Sequence, residues 1–597
     1  MDDFDDFAMV TQLTRRELIH VLESIIGTKE LVVEQSLMRP LDKVASMSFL
    51  KEHNCLRVQQ LYLDRLISWD PNLENRVFLI RPSLTNVRKV CELIKAEPNV
   101  RYSAIFVDRK QNICDLEFEK QGVYGNIESY ELNLSFIPLE SDLFSLELPA
   151  DIPRSSRTDY QAMARCLWQL QSLYGAIPNQ FAIGQAAIDC QKVFQRICHD
   201  MKEPAATANQ PISHLFLFDR SIDLVSVLLT GLTYESMLND VFKYSCGKIV
   251  FGEAVDAKLK QKSEGKKVIP LNNSDAIFSV VRNRHMSQVF PFLSARAKTL
   301  QESFDKASAM NKVEEVKDFI SNQLRQLKQN HKLLELHICA CEVLLETSKG
   351  SDRYGIEHAI VRREADANIV MEHLELAICK QQNPWAVLQL ACLWSICEDG
   401  LLSKHFHAFR TLFLHACGYD YLTVFYYLQS NGLLIEKSTP SAKTSIGGSG
   451  SFKINSNFKE LSRKTSFSHL TKSLRLTTTS DILFDPKSPN PNPSYVFSDA
   501  YSPIACQIVS QTVADGWSTP KLQKVFGPEI PISSSLNPVK PDNRIKKALL
   551  VAFIGGVTFA EVAALRQFAQ NSNFRIIVVA SHVLNREEFL KSFVEIV

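Results

Sequence analysis

At about 150 residues to a domain, 597 residues imply two to four domains and room for large buried cores. Hydrophobic residues at 45% and charged residues at 22% fit a folded globular chain and exclude a fibrous or mostly disordered one. Lys and Arg number 67 against 66 Asp and Glu, so the net charge of +1 offers no global attraction to nucleic acid or to an anionic membrane, and no nucleic-acid partner is expected.

The chain opens on MDDFDDF, without the basic-then-apolar order of a secretory signal, which predicts a cytoplasmic protein. Residues 11–34 predict an amphipathic helix with Leu18, Val21, Leu22 and Ile25 on one face, then Gly27 as a stop and a short strand. VFLIRP at 77–82, a helix from Thr85 to Lys95 and YSAIFVDR at 102–109 set the rhythm of a parallel sheet covered by helices. HLFLFDR at 214–220, KALLVAFIGG at 547–556 and FRIIVVAS at 574–581 read as further buried strands, and the two distant groups are expected to share one sheet. From about 275 to 435 the period changes to 3.6. There Val313, Val316, Ile320, Leu324, Leu327, His331, Leu334, Ile338, Cys341 and Leu345 predict one long helix whose apolar stripe faces a core.

Residues 437–494 turn to Ser, Thr, Lys, Gly and Pro, which predicts disorder. Between Lys437 and Arg475 eight basic residues oppose Glu460 alone, the strongest local charge asymmetry of the chain. The apolar run Ala548–Val557 is too short to span a bilayer. Fourteen cysteines in apolar contexts read as reduced core thiols.

Motifs for chemistry are wanting. FAIGQAA at 181–187 has one glycine where a pyrophosphate loop needs two or three. Cys392, Cys397, His405, His407, His415 and Cys417 are dense, yet their spacing does not suit zinc: Cys392 and Cys397 are roughly 140° apart around a helix. FDRSIDL at 218–224 places Asp219 and Arg220 at a strand exit and Asp223 in the turn beyond; the simplest use is structural, with Asp219 accepting backbone N–H groups and Arg220 forking onto a carboxylate from a neighbouring segment. GGVTFAE at 555–561 reads as a turn at Gly555 and Gly556 followed by a capping box of Thr558 and Glu561. No cofactor, metal site or catalytic residue is expected.

FLFDRSIDLVSVLLTGLTYESMLND at 216–240 and FIGGVTFAEVAALR at 553–566 resemble two signature segments of the Sec/Munc (SM) family of syntaxin-binding proteins, and the resemblance runs along nearly the whole chain. The segments at 37–42 and 246–252 are similar to the B type of the family's vacuolar protein sorting branch. One departure is Ser226-Val227, where many members have Thr-Pro.

The resemblance implies α/β architecture with a large helical insertion, a three-domain arch. Residues 1–135 would form an N-terminal α/β domain, 136–245 with 495–597 a discontinuous second one, and 246–494 a helical third domain including the Ser/Lys-rich loop. It also implies a non-enzymatic regulator of SNARE assembly and membrane fusion, with syntaxin-type SNAREs and SNARE bundles as partners. The chain would be a subunit of a complex with a B-type relative of vacuolar protein sorting 16, and peripheral on late endosomal and lysosomal membranes through its partners. Carried over residue by residue, the contact to that relative falls on Arg410, Tyr419 and Leu422. Two other readings stay open at this point: an α/β enzyme with an unrecognised cleft, and a scaffold that never touches SNAREs.

Overall fold

The computed structural model describes residues 8–593 apart from 66, 69, 135, 149–156, 202–210, 260–267, 309–323, 349–352, 438–465, 479–483, 487, 489–490 and 537–546. Five strands, β1 Lys29–Glu34, β2 Cys55–Leu61, β3 Asn75–Ile80, β4 Arg101–Val107 and β5 Ile127–Leu132, pair in the parallel order β2-β1-β3-β4-β5. Central β3 is buried at every position, as a parallel strand covered on both faces must be. Its covering helix Leu84–Ala96 starts where the Ser83 hydroxyl accepts the Asn86 N–H, and it turns Val87, Val90, Leu93 and Ile94 inward. A fully buried pair, Arg76 to Glu30 at 2.7 Å, ties β3 to β1.

A second sheet joins the two distant strand groups, as expected. It comprises β6 Ile137–Pro138, β7 Leu143–Ser145, β8 Asn179–Ile183, β9 Ile212–Asp219, β10 Ile532–Leu536, β11 Ala548–Ile554 and β12 Arg575–Ala580, in the order β10-β8-β9-β11-β12-β7-β6. The edge pairings, β10 to β8 and β6 to β7, are antiparallel and the interior is parallel. Register sets Phe553 against Phe218 and Ile554 against Asp219, so the exits of β9 and β11 lie side by side. Helices Arg157–Tyr174 and Gln185–Met201 bury Met163, Leu167, Leu170, Cys190 and Phe194 in a core with alternate residues of these strands, including Leu215, Leu217, Leu550 and Ala552.

The intervening chain is mainly helical. The expected stripe over 313–345 needs two amendments. Residues 313–323 lie outside the described residues, and the helix that is described, Leu324–Ser348, turns inward a face centred on Leu334, His337, Cys341 and Leu344, while His331 is exposed. His337 is the reason for the shift. Its Nε2 lies 3.0 Å from Asp275 Oδ2 and its Nδ1 2.8 Å from the Tyr234 hydroxyl, so a polar residue with both ring nitrogens satisfied sits in the core.

The expectation of disorder over 437–494 fails at its far end. Phe467–Leu474 is a helix burying Phe467, Leu470 and Leu474, and Asp399 accepts both the Phe467 N–H at 2.6 Å and the Ser466 hydroxyl at 2.8 Å. Three apolar residues at helical spacing outweigh a polar composition averaged over sixty positions. The 438–465 part of that expectation lies outside the described residues.

Candidate functional site

The predicted signature residues converge at the paired exits of β9 and β11. Because Ile554 opposes Asp219, the next residues, Gly555 and Arg220, are in contact: a Cβ on Gly555 would lie 2.8 Å from Arg220 Cβ, and φ of +90° there suits glycine alone. Arg220 Nη1 donates to both oxygens of Glu561, at 2.9 and 2.7 Å, with both side chains almost wholly buried. Glu561 also closes the capping box of helix Phe559–Gln570: its Oε2 accepts the Thr558 N–H at 3.0 Å, and Thr558 Oγ1 accepts the Glu561 N–H at 3.3 Å.

The other carboxylates are equally occupied. Asp219 accepts the N–H groups of Ala186 at 3.0 Å and Ser221 at 2.9 Å. Asp223 accepts the Ser226 N–H and hydroxyl, the Tyr501 hydroxyl at 3.1 Å and the Ile504 N–H at 3.0 Å, while Arg220 Nη2 donates to its carbonyl. Ser226, the residue at which the sequence departs from the family pattern, is thus part of the network. The hydroxyls and carboxylates of the cluster are spent on one another and on backbone N–H groups; it locks β9, β11, helix Phe559–Gln570 and the 501–504 corner to one another. Tyr501 and Ile504 were absent from the sequence reading, since no local motif announces contacts across 278 and 281 residues.

Beside this lock, φ of +94° and a Cβ position 2.6 Å from Leu584 Cγ require glycine at 556. The neighbouring His582 is 8% exposed, neither of its ring nitrogens has a hydrogen-bond partner among the described residues, and burial holds its pKa down to about 4. The unfolded chain takes up this proton first as pH falls below the usual value of about 6.5, so stability is lost on acidification through that range. His582→Gln is therefore expected to reduce the loss of unfolding free energy between pH 7 and pH 5 by about 2 kcal/mol, read from urea unfolding at both pH values. An unchanged pH dependence would mean that the ring is not held neutral.

The predicted recruitment residues fall on successive helices. Arg410 lies half-buried on Ser403–Cys417, Tyr419 in the turn that follows, and Leu422 in the first turn of Tyr421–Ser430. Gly418 at φ +104° ends the first helix, and the Leu422 N–H donates to the Tyr419 carbonyl at 2.9 Å. Tyr419 is 65% exposed and Leu422 43%, and Tyr426, one helical turn further, is 55% exposed. Sequence reasoning missed Tyr426, although its i+4 spacing from Leu422 was the available signal. Tyr419, Leu422 and Tyr426 form an exposed apolar ridge, while Val424, Phe425 and Leu428 of the same helix face the core. The contact geometry joins Tyr419 and Leu422; Arg410 makes no described contact with either.

His407, 60% exposed, lies 3.1 Å from Glu436, and Cys392 and Cys397 are buried within helix Pro384–Cys397. No group of three metal-ligating side chains occurs among the described residues, and no described helix is long and apolar enough to cross a membrane.

Two parallel-sheet α/β units around a long helical insertion, with buried motif residues at the sheet exits, define an SM-type protein. The Sec1 family pattern matches residues 29–592, and the chain belongs to that family. It is 31% identical over 616 residues to the vacuolar protein sorting-associated protein 33B of Caenorhabditis elegans, covering 98% of this chain and 96% of the relative. Identity to the protein of the same name from Homo sapiens is 31% over 621 residues, covering 100% and 98%. Among solved structures the SM protein Vps45 in complex with the Qa SNARE Tlg2 superposes with a TM-score of 0.61 at 13% identity, covering 98% of this chain and 97% of that one. With the family goes the part of a regulator, not of an enzyme.

Proposed function

We propose that the chain guides SNARE assembly for membrane fusion on the route to late endosomes and lysosomes, as a subunit of a complex with a B-type relative of vacuolar protein sorting 16. The full-length likeness to vacuolar protein sorting-associated protein 33B carries this reading. The residue ranges 1–135, 136–245 with 495–597, and 246–494 serve as its three domains, and the cleft of their arch takes SNARE helices. SNARE motifs are disordered when isolated and must lose conformational entropy to zip together. A preformed helical surface that binds them half-ordered lowers that cost and rejects wrong registers. The polar face of Leu324–Ser348, with Lys328, Lys332 and Glu335 exposed, suits this task because its opposite face is fixed to the core through His337. Tyr419 and Leu422, with Arg410 nearby in sequence, serve as the recruitment contact, and membrane association is peripheral through the recruiting subunit.

Direct binding tests the reading. Purified chain is expected to bind both a syntaxin-type SNARE and an assembled four-helix SNARE bundle by calorimetry. Binding to neither, with the recruiting subunit still bound, would leave a scaffold without SNARE contact.

A further inference from the structure

We propose that a cavity between the N-terminal helix and the turn joining β6 to β7 binds a phosphorylated polyol, the chemistry of an inositol phosphate. The cavity, of about 470 Å³, is lined by one face of helix Ala8–Ser24, by Lys43 at the end of helix Met38–Val44, by residues 138–141 and by Asn272. Two of its groups are cationic. Lys43 is half-buried and has no hydrogen bond or ion pair with any described residue, and Arg15 spends its Nε on the Val44 carbonyl at 3.0 Å, with its guanidinium 5.7 Å from the Phe49 ring centre and no carboxylate partner among the described residues. Several half-buried cations of this chain do find acids, Lys110 with Asp115, Arg566 with Asp142 and Arg586 with Asp240, and the two in this cavity do not.

The carboxylate in the cavity wall does not cancel this charge. Glu140 lies 2.9 Å from Arg282 Nη1, so its charge is answered from outside the cavity; burial raises its pKa and Arg282 opposes that rise. Glu147, on which the Lys43 charge also acts, is pushed up by burial. Around the two cations stand Thr11, Gln12, Ser141 and Asn272, hydroxyls and amides that both donate and accept. Cations answer phosphate and neutral hydrogen-bonding groups answer hydroxyls, which is the pattern of a phosphorylated polyol.

The lining comes from three separate parts of the chain, residues 8–43, 138–144 and 272, so an occupant would clamp the N-terminal helix to the second sheet. That clamp predicts a rise in melting temperature on binding.

Calorimetry and thermal melting of the full chain with inositol trisphosphate test the assignment. Single-site binding with a raised melting temperature is expected, weakened about tenfold or more by Lys43→Gln and again by Arg15→Gln. Lys258→Gln, which removes a lysine paired with Glu342 and Glu346 outside the cavity, should leave it unchanged. Arg15→Gln also removes a backbone contact, so the melting temperature without ligand is compared; Lys43→Gln breaks no described bond and keeps the test decisive if the other variant is unstable. Flotation with phosphatidylcholine vesicles doped with a phosphatidylinositol phosphate separates the sources. Vesicle binding lost in Lys43→Gln identifies a lipid headgroup, and binding of the soluble compound alone identifies a free metabolite. No binding, binding indifferent to Lys43, or preference for a phosphoserine peptide over inositol trisphosphate overturns the proposal.

Discussion

Glu561→Ala is expected to destabilise the protein by about 3–5 kcal/mol, because it leaves the buried Arg220 guanidinium without its carboxylate. The same change removes one arm of the capping box, worth about 1 kcal/mol more. Glu561→Gln retains an acceptor for the Thr558 N–H and should fall between the variant and the natural chain. Replacing both partners, Arg220→Met with Glu561→Leu, should cost less than Glu561→Ala alone, since no charge then remains buried. Urea unfolding of the three variants reads the effect. A loss under about 1 kcal/mol for Glu561→Ala would mean that Arg220 finds another partner and that the sheet exits are not held by this pair.

Tyr419→Asp should abolish recruitment while sparing the fold. If the ridge of Tyr419, Leu422 and Tyr426 is buried by the recruiting subunit, an aspartate there would be an unpaired charge in an apolar contact, costing about 2 kcal/mol or more, at least thirtyfold in Kd. Because Tyr419 is 65% exposed in the free chain, its melting temperature should hardly move, with a change in stability within about 0.5 kcal/mol. Affinity for the recruiting subunit and the melting curve together decide the matter. Retained affinity would remove Tyr419 from the interface, and lost affinity with early melting would make it a folding residue.

The elements readable from sequence were those whose cause is local. The Thr558 and Glu561 capping box is a local pattern, and the strand at Ile212–Asp219 contains the apolar run Leu215–Phe218, so both could be read directly. That Arg220 would fork onto a carboxylate followed from its place at a buried strand exit; that the carboxylate would be Glu561 did not, since the two are 341 residues apart. His337 escaped because hydrophobic periodicity counts it as polar, and only Tyr234 and Asp275, brought in by tertiary packing, make it a core residue. The helix Phe467–Leu474 escaped for the opposite reason, its three buried apolar residues being too few to colour a Ser-rich window. Candidate site residues divide in the same way. Tyr419 and Leu422 came from the resemblance, residue by residue, whereas the exposure of Tyr426 depends on how the whole helix sits on its neighbours.

The pairing of β9 with β11 has a consequence for synthesis. Ser213 and the Ala548 carbonyl it bonds are 335 residues apart, so at about 5–20 residues per second β9 leaves the ribosome on the order of tens of seconds before the strand that covers its flank. Throughout that interval Leu215, Phe216, Leu217 and Phe218 present an apolar edge with unpaired backbone groups, an invitation to aggregation unless a chaperone holds it. A premature stop before residue 548 would leave this strand permanently open and Arg220 without its acid, so late truncations of the gene should behave as complete losses of protein and not as loss of one module.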